Sequence, residues 1–284
     1  MKLIECPRDA MQGIKEFIPT SEKAAYINQL LKVGFDTIDF GSFVSPKAIP
    51  QMKDTAEVLG QLNMDQSNAK LLAIVANVRG AEDALQFKEI DYLGFPFSIS
   101  ETFQQRNTNK SIVEALNVLD TIQNLCVGKN KTLVAYISMG FGNPYNDPYS
   151  VDIVAKFTDI LAAMGIKIIS LADTIGVSNR ENISYLYKNL IEAYPQVEFG
   201  AHLHSNPNTA EEKIEAAIEA GCRRFDGAIK GYGGCPMAKD ELVGNVATEK
   251  LVSHFEKKSF NLGINQEALA QAIQSATALF AQYQ

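Results

Sequence analysis

The hydrophobic pattern of the chain alternates between two periods. Short apolar runs rich in β-branched and aromatic residues are followed, again and again, by amphipathic stretches of helical length. Eight runs have the length and composition of strands: 3–6, 37–40, 71–76, 92–97, 133–138, 167–171, 197–202 and 224–228. Each of the first seven strands is separated from the next strand by a stretch that predicts a helix.

The predicted helices have recognisable ends. Thr20-Ser21 with Glu22 can begin one helix, and Gly34 and Gly221 can end two of them, since glycine accepts the left-handed turn. Seven helices lie between the strands and two follow them: 21–33, 52–62, 81–86, 111–125, 149–164, 180–193, 209–220, 245–256 and 266–282.

Alternating strands and helices require a mostly parallel sheet. Eight strands favour closure into a (β/α)8 TIM barrel, which we expect to form one catalytic domain over residues 1–284. The barrel would occupy about 3–230, with a lid loop and extra C-terminal helices over about 231–284. A doubly wound open sheet is the alternative, because it needs only a different strand count.

Polar residues cluster where the predicted strands end. In a TIM barrel these ends form the C-terminal face, which carries the chemistry. The residues at these positions are Arg8, Asp9, Asp39, Asn77, Ser98, Glu101, Ser138, Asp173, His202 and His204. The strand interiors are mostly aliphatic or aromatic, so the pattern predicts one polar rim and supports the barrel.

Two of the three histidines lie one residue apart, in His202-Leu203-His204. Side chains alternate along a strand, so both imidazoles face the same side. With the carboxylate of Asp9 they could bind a divalent metal ion, although a hydrogen-bonded histidine pair is the simpler alternative. Asn245 could add an amide oxygen to such a site or could cap the following helix.

Other rim residues also have two interpretations. Arg8 could form a surface ion pair or stabilise charge on a substrate oxygen. Asp173 could cap a segment or act as a base, and Asp39 invites the same choice, with support of the site favoured. The glycines before Cys235 indicate a mobile lid that presents a thiol, because the loop lacks the G-K-[ST] ending of a phosphate cradle.

Composition narrows the classes of function. The 284-residue chain has a net charge of -7 with scattered basic residues, which argues against nucleic-acid and anionic-membrane partners. No apolar run approaches the ~20 residues of a membrane span, and the N-terminus has no signal or transit pattern. Four irregularly spaced cysteines do not form a disulfide framework; we expect Cys6, Cys126 and Cys222 in the interior of a reduced, cytoplasmic protein.

A set of motifs in one order resembles a known family. They are Pro7-Arg8-Asp9, Ser42-Phe43-Val44-Ser45-Pro46-Lys47, Asp173-Thr174-Ile175-Gly176-Val177, His202-x-His204, Gly233-Gly234-Cys235-Pro236 and Gly244-Asn245-x-Ala247-Thr248-Glu249. The set is similar to 3-hydroxy-3-methylglutaryl-CoA (HMG-CoA) lyases, within a superfamily of metal-dependent lyases and synthases on TIM barrels. The resemblance runs from about Leu3 to Leu251, and the GGCP loop is most particular to the lyases.

The resemblance implies a role for each matching residue. Asp9, His202, His204 and Asn245 would bind Mg²⁺ or Mn²⁺, Arg8 would polarise a substrate carbonyl, and Cys235 would transfer a proton. Asp173 and Glu249 would be supporting acid/base residues, the hydroxyl proton going to Asp173, to Asp9 or to a metal-bound water. The residues expected to contact the acyl-CoA substrate are Gln12, Lys15, Asp39, Ser42 and Ser170, with Lys15 near the CoA entrance.

The chain also departs from the family pattern. Asp39 replaces a glutamate, Ala172 a glycine and Ser205-Asn206 an Asp-Thr pair; an expected acidic position holds Ile4, with Glu5 one place away. A one-residue offset changes the face of a strand. These changes leave the metal ligands intact, so we expect cleavage of HMG-CoA, or of a close 3-hydroxyacyl-CoA, to acetyl-CoA and acetoacetate. A condensing synthase, an aldolase and a non-catalytic CoA-ester-binding barrel are the alternatives, and a homodimer is compatible with the family.

Overall fold

The computed structural model describes residues 1–65, 67–234 and 243–283. Eight parallel strands form its centre: β1 (Lys2–Glu5), β2 (Thr37–Ser42), β3 (Lys70–Ile74), β4 (Ile90–Ser98), β5 (Thr132–Ser138), β6 (Ile168–Asp173), β7 (Glu198–Ser205) and β8 (Arg224–Gly227). Each strand pairs with the next along the chain, and β1 pairs with β8. The sheet is therefore a closed eight-stranded barrel, as predicted, and the open-sheet alternative is wrong.

A ninth strand was not predicted. Gly244–Asn245 forms β9, which pairs antiparallel with the end of β7 and places Asn245 opposite His204. The helix expected over 245–256 begins only at Thr248, after an N-cap residue, Ala247, that makes no side-chain hydrogen bond. Asn245 is thus part of the sheet, and its interpretation as a helix cap is wrong.

Helices surround the barrel. Within the described ranges the α-helices are α1 (Pro7–Gln12), α2 (Thr20–Leu30), α3 (Thr55–Leu59), α4 (Val78–Ala84), α5 (Glu101–Thr108), α6 (Ile112–Gly128), α7 (Val151–Ala163), α8 (Arg180–Ala193), α9 (Ala210–Glu219), α10 (Thr248–Lys257) and α11 (Gln266–Tyr283), with 3₁₀ turns at Pro50–Met52 and Ile229–Gly231. None of the helices in this part of the chain is both long and apolar enough to cross a bilayer.

Two helices were missed by the sequence analysis, and local chemistry explains both. The first, α1, starts directly after β1 with Pro7 in its first turn, where the missing N–H costs nothing. The second, α5, begins after Ser100, whose hydroxyl accepts a hydrogen bond from the Phe103 amide. The single helix predicted over 52–62 is instead the turn Pro50–Met52 followed by α3.

The barrel separates two regions of the core. Residues such as Leu71, Phe95 and Ile137 point outward and pack under the helices. A smaller apolar cluster fills the inside of the barrel: Leu72, Ile74, Tyr92, Val134, Tyr136 and Ile168. Strand alternation divides the two sets. The buried Arg224 of β8 lies beside the inner set, with its guanidinium carbon 5.6 Å from the centroid of the Tyr92 ring.

Candidate active site

Arg8 and Asp9 lie on α1, directly after β1. The Arg8 Nε and Nη2 atoms donate to the carboxylate of Asp39, at 3.1 Å and 2.5 Å from Oδ2, and Nη1 donates to Asp9 Oδ1 at 2.9 Å. All three residues are buried. The start of α1 and the middle of β2 are thus joined by one guanidinium held between two carboxylates.

The pKa values of Arg8, Asp9 and Asp39 are shifted in different directions by burial and by one another's charges. Burial alone would lower the pKa of Arg8, but Asp39 and Asp9 outweigh it and raise the pKa, so the guanidinium is cationic. Burial opposes the ionised form of Asp9 as well, yet Arg8, His202 and His204 lower its pKa to about 2. For Asp39, burial outweighs Arg8 and raises the pKa to about 6.

His202 and His204 share one face of β7, as the strand period predicts. Their ring centroids lie 5.2 Å apart. Nδ1 of His202 is 3.1 Å from Oδ2 of Asp226, and Nδ1 of His204 is 3.0 Å from the Thr174 carbonyl oxygen. Such contacts leave Nε2 of each ring as the atom available to a ligand.

Nε2 of His204 is the informative atom of this pair. It is buried and has no hydrogen-bond partner among the described residues. Burial and the nearby His202 lower the pKa of His204 to about 4, so the ring is neutral at pH 7 and carries a lone pair there. For His202, burial would lower the pKa, but the hydrogen bond and charge of Asp226 outweigh it and raise the pKa.

Asp9, His202 and His204 form a group that could hold a metal ion. One ligand atom from each lies within 4.8 Å of the others. Asn245 is next to them: its Nδ2 donates to Asp9 Oδ2 at 2.7 Å and to the Tyr232 carbonyl at 2.9 Å. A carboxylate, two imidazoles with restrained Nδ1 atoms and an unpartnered buried Nε2 fit a divalent cation.

The glycine-rich loop begins directly above this group. Gly233 has a φ of +85°, and a β-carbon on it would stand 2.6 Å from the Asp9 carbonyl oxygen. Only glycine can therefore pass so close to α1 in that conformation. Cys235, the predicted proton-transfer residue, lies outside the described residues.

A protein-family model described as HMGL-like matches residues 3–275 of the chain. The chain belongs to the HMGL-like family. It is similar to hydroxymethylglutaryl-CoA lyase of Bacillus subtilis, with 34% identity over 266 residues that cover 94% of this chain and 88% of the relative. It is also 33% identical to the 3-hydroxy-3-isohexenylglutaryl-CoA/hydroxymethylglutaryl-CoA lyase of Pseudomonas aeruginosa, covering 98% of this chain and 92% of that protein.

The chain is also similar to solved structures of HMG-CoA lyases. The HMG-CoA lyase from Brucella melitensis superposes with a TM-score of 0.91 at 30% identity, covering 98% of each chain. An HMG-CoA lyase from Acinetobacter baumannii, solved in complex with coenzyme A and 3-methylmalate, has a TM-score of 0.91 at 30% identity, covering 99% of this chain and 91% of that chain.

In this HMGL-like chain, the residues predicted to contact substrate divide into two groups. Near the candidate metal site, Gln12 Nε2 donates to Asp9 Oδ1 at 2.7 Å, and the exposed Lys15 lines a groove with Gly13, Gly233 and Tyr283. Asp39 also lies near the candidate metal site, because it accepts hydrogen bonds from Arg8, which in turn contacts Asp9.

Ser42 and Ser170 are the second group. Both hydroxyls are buried and lack a partner within the described ranges. Ser170 lies opposite Gly200 in the strand pairing, below the level of His202, so it is inside the barrel rather than at its rim.

The Asp173 side chain contacts residues of the following loop and of α9. Its carboxylate accepts hydrogen bonds from the backbone N–H groups of Val177 and Ser178, from the Ser178 hydroxyl, and from Lys213 Nζ at 2.7 Å. The side chain is fully buried. These contacts secure the loop that follows β6, and the base role of Asp173 stays a prediction.

Glu249 of α10 and Glu5 of β1 both accept hydrogen bonds from the segment that follows β8. Glu249 accepts a hydrogen bond from the Lys230 amide at 3.1 Å, at the start of α10. Glu5, one place away from the position expected for an acid, turns to the Ile229 amide and the Thr248 hydroxyl. Neither belongs to the group formed by Asp9, His202 and His204.

Glu5 gives the stability of the protein a specific pH dependence. Burial raises the pKa of Glu5 from 4.5 to about 8, so between these values the folded chain keeps a proton that the unfolded chain releases. The free energy of unfolding therefore falls as pH rises through this window. Glu5→Gln should flatten that fall in urea titrations, whereas Glu57→Gln, at an exposed position, should not; parallel wild-type and Glu5→Gln curves would contradict the assignment.

Three residues of the site were not found from the sequence. Asp226 holds His202, Tyr136 packs edge-on against the same ring with centroids 5.8 Å apart, and Lys213 joins Asp173 to the His204 carbonyl. Asp226 did carry a signal, because Arg224-Phe225-Asp226 alternates charged and apolar residues in a buried strand. Lys213 carried none, since a lysine on an amphipathic helix is usually solvated.

Proposed function

We propose that this HMGL-like protein is a carbon–carbon lyase that cleaves HMG-CoA to acetyl-CoA and acetoacetate. The observation that carries the proposal is the buried, unpartnered Nε2 of His204 in one group with Asp9 and His202, beside the Arg8 guanidinium. The relatives reported above are named for this activity. The synthase, aldolase and non-catalytic alternatives have no comparable support.

Asp9, His202, His204 and Asn245 would hold the metal ion, which we propose to be Mg²⁺ or Mn²⁺. Carboxylate and amide oxygens with two imidazoles suit these ions, and no thiolate is needed. When bound, such an ion supplies positive charge that lowers the pKa of a nearby hydroxyl and stabilises negative oxygen. Asn245 would turn its amide oxygen, rather than its nitrogen, toward the ion.

Arg8 would stabilise the negative charge that develops on substrate oxygen. Its guanidinium has more N–H groups than its contacts with Asp39 and Asp9 use. Because both carboxylates hold the planar group in place, the remaining donors are oriented before substrate arrives. Preorganised donors of this kind are usually the largest single contribution to catalysis.

The bond that breaks joins C2 and C3 of the acyl chain. The C3 hydroxyl loses its proton, its oxygen forms the ketone of acetoacetate, and the electron pair of the C2–C3 bond passes to the thioester enolate. Protonation of C2 then completes acetyl-CoA. We assign that proton to Cys235, because Gly233, two residues earlier in the chain, packs on the Asp9 carbonyl oxygen next to the candidate metal ligands.

Asp173 and Asp9 are both poorly suited to accept the hydroxyl proton. Asp173 accepts four hydrogen bonds, one of them from Lys213, and the pKa of about 2 makes Asp9 a weak base. We therefore favour water as the acceptor of the hydroxyl proton. Asp173 and Glu249 would act by supporting the loops around the site.

The CoA portion would enter beside Lys15. This lysine is exposed on the groove next to Asp9, and the A. baumannii lyase was solved with coenzyme A bound. The acyl group should be 3-hydroxy-3-methylglutaryl, although the P. aeruginosa relative is named for a larger side chain as well. Asp39, Ala172 and Ser205-Asn206 are the positions at which this chain could differ in acyl preference.

The direct test is incubation with a panel of 3-hydroxyacyl-CoAs and Mg²⁺, with acetyl-CoA and acetoacetate quantified. HMG-CoA should be cleaved fastest, EDTA should abolish turnover, and added Mg²⁺ or Mn²⁺ should restore it. Turnover that EDTA leaves unchanged would contradict the metal proposal, and acetyl-CoA consumption with 2-oxo acids would favour a synthase.

A homodimer in the cytoplasm completes the proposal. It rests on the family resemblance alone. Sedimentation equilibrium of the purified protein gives the assembly directly.

A further inference from the structure

A second group of metal-binding side chains lies next to the first. The Cys6 thiol, the His202 ring and the Asp226 carboxylate each offer a ligand atom, and these atoms lie within 4.8 Å of one another. Cys6 and Asp226 are buried inside the barrel end, while His202 keeps 13% of its side chain exposed. Only His202 is common to the two groups.

Two atoms of this second group lack good partners. Asp226 Oδ1 is buried without a hydrogen-bond partner in the described ranges. Cys6 Sγ reaches the Ile4 carbonyl at 3.9 Å, which is a weak contact even for sulfur. Burial raises the pKa of the Cys6 thiol, and the nearby carboxylates of Asp226, Asp39 and Asp9 raise it further; the same negative charges would favour a cation beside the sulfur.

The spacing also suits a small tetrahedral ion. Nδ1 of His202 and Oδ2 of Asp226 are 3.1 Å apart, and two ligands on a tetrahedral Zn²⁺ are separated by about 3.3 Å. Sulfur would need to lie about 3.6 Å from each of them, and the three ligand atoms already lie within 4.8 Å of one another.

We propose that Cys6, His202 and Asp226 form a second cation site that takes a thiophilic dication such as Zn²⁺ or Cd²⁺. The two groups differ in chemistry. Asp9, His204 and Asn245 add hard oxygen and imidazole donors to His202, whereas Cys6 adds a thiolate, the ligand that selects soft and borderline metals.

Binding at the second site is a ligand exchange without redox change. The Cys6 S–H bond breaks, its proton leaves to solvent, and a metal–sulfur bond forms. The proton that His202 holds on Nδ1 moves to Nε2, and Nδ1 then binds the ion together with Asp226.

The two sites cannot both bind an ion at the same time, because both need His202. A neutral imidazole has one lone pair, so His202 offers either Nε2 to the first group or Nδ1 to the second. A thiophilic ion would thus displace Mg²⁺ or Mn²⁺ and inhibit the enzyme. This competition rests on the proposed function, whereas the second site itself does not.

The test uses the full chain carrying Cys235→Ser, so that the thiol of Cys235 cannot bind the probe. Cd²⁺ titrated into this protein should give the ultraviolet charge-transfer band of one Cd–thiolate bond. Adding Cys6→Ala should remove the band and weaken Cd²⁺ binding about 100-fold or more, since even indirect partners of a metal commonly contribute 10–100-fold. Cys222 is a buried thiol that donates hydrogen bonds to the Phe199 and Arg224 carbonyls, so Cys222→Ala should leave the band and the Cd²⁺ affinity unchanged.

Competition is measured by electron paramagnetic resonance of bound Mn²⁺, with no turnover required. Cd²⁺ should release the Mn²⁺ in parallel with the growth of the band. A band that survives Cys6→Ala, or Mn²⁺ and Cd²⁺ bound together, would overturn the proposal. If Cys6→Ala does not fold, retention of Mn²⁺ in the parent protein is still decisive against competition; failure of Mn²⁺ to bind at all counts against the proposed function instead.

Discussion

Arg8→Lys should lower kcat for HMG-CoA cleavage by about 10²–10³, the usual cost of one preorganised donor to a developing oxyanion. Lysine keeps the positive charge between Asp9 and Asp39, but it loses the planar group that reaches both carboxylates at once. The ammonium would form its own ion pair there and present no second oriented donor to substrate. Steady-state kinetics with HMG-CoA gives kcat, and titration with Mn²⁺ shows that the metal site is retained.

A surface arginine provides the control. Arg180 is paired with Glu212 and Glu219 at side chains that are about half exposed, so Arg180→Lys should leave kcat unchanged. If Arg8→Lys keeps kcat within a few-fold of the wild-type value, the guanidinium has no part in stabilising the transition state.

Lys213→Met should lower the free energy of unfolding by about 3–5 kcal/mol, the usual cost of removing one partner from a buried ion pair. Lys213 Nζ donates to Asp173 Oδ2 at 2.7 Å, to the His204 carbonyl at 2.8 Å and to the Gly176 carbonyl at 3.0 Å. Methionine fills similar space but leaves a buried carboxylate and two carbonyl groups short of donors. Urea unfolding followed by circular dichroism measures the loss.

Lys258→Met is the matched control, because Lys258 is exposed and pairs with Glu215 at the surface. It should cost no more than about 1 kcal/mol. Combining Lys213→Met with Asp173→Asn should recover part of the loss, since the uncompensated charge is then absent. A loss below about 1 kcal/mol for Lys213→Met alone would show that the ion pair does not hold the loop after β6.

Much of the fold was predictable because the barrel repeats one local rule. Most strands of the barrel are short apolar runs that precede a helix. Period-two alternation correctly placed His202 and His204 on one face of β7. The gathering of Arg8, Asp9 and the histidines followed from the rule that chemistry collects at strand ends.

Long-range pairing was not predictable in the same way. A helix cap was one of two interpretations of Asn245, because Gly244-Asn245 has no strand pattern of its own. The two residues form a strand only by pairing with β7. Lys213 looked like a solvated residue of α9, and its buried ion pair depends on a carboxylate forty residues earlier. Glu5 turned toward Thr248 for a similar reason, because β1 and α10 meet only in the folded chain.

We expect Asp9, His202 and His204 to surround one divalent cation. Crystals grown with Mn²⁺ and measured at its absorption edge would locate the ion. They should give one anomalous peak per chain, within about 2.0–2.3 Å of an Asp9 oxygen and of the Nε2 atoms of both histidines. A peak elsewhere, or no peak under conditions in which the protein cleaves HMG-CoA, would contradict this expectation.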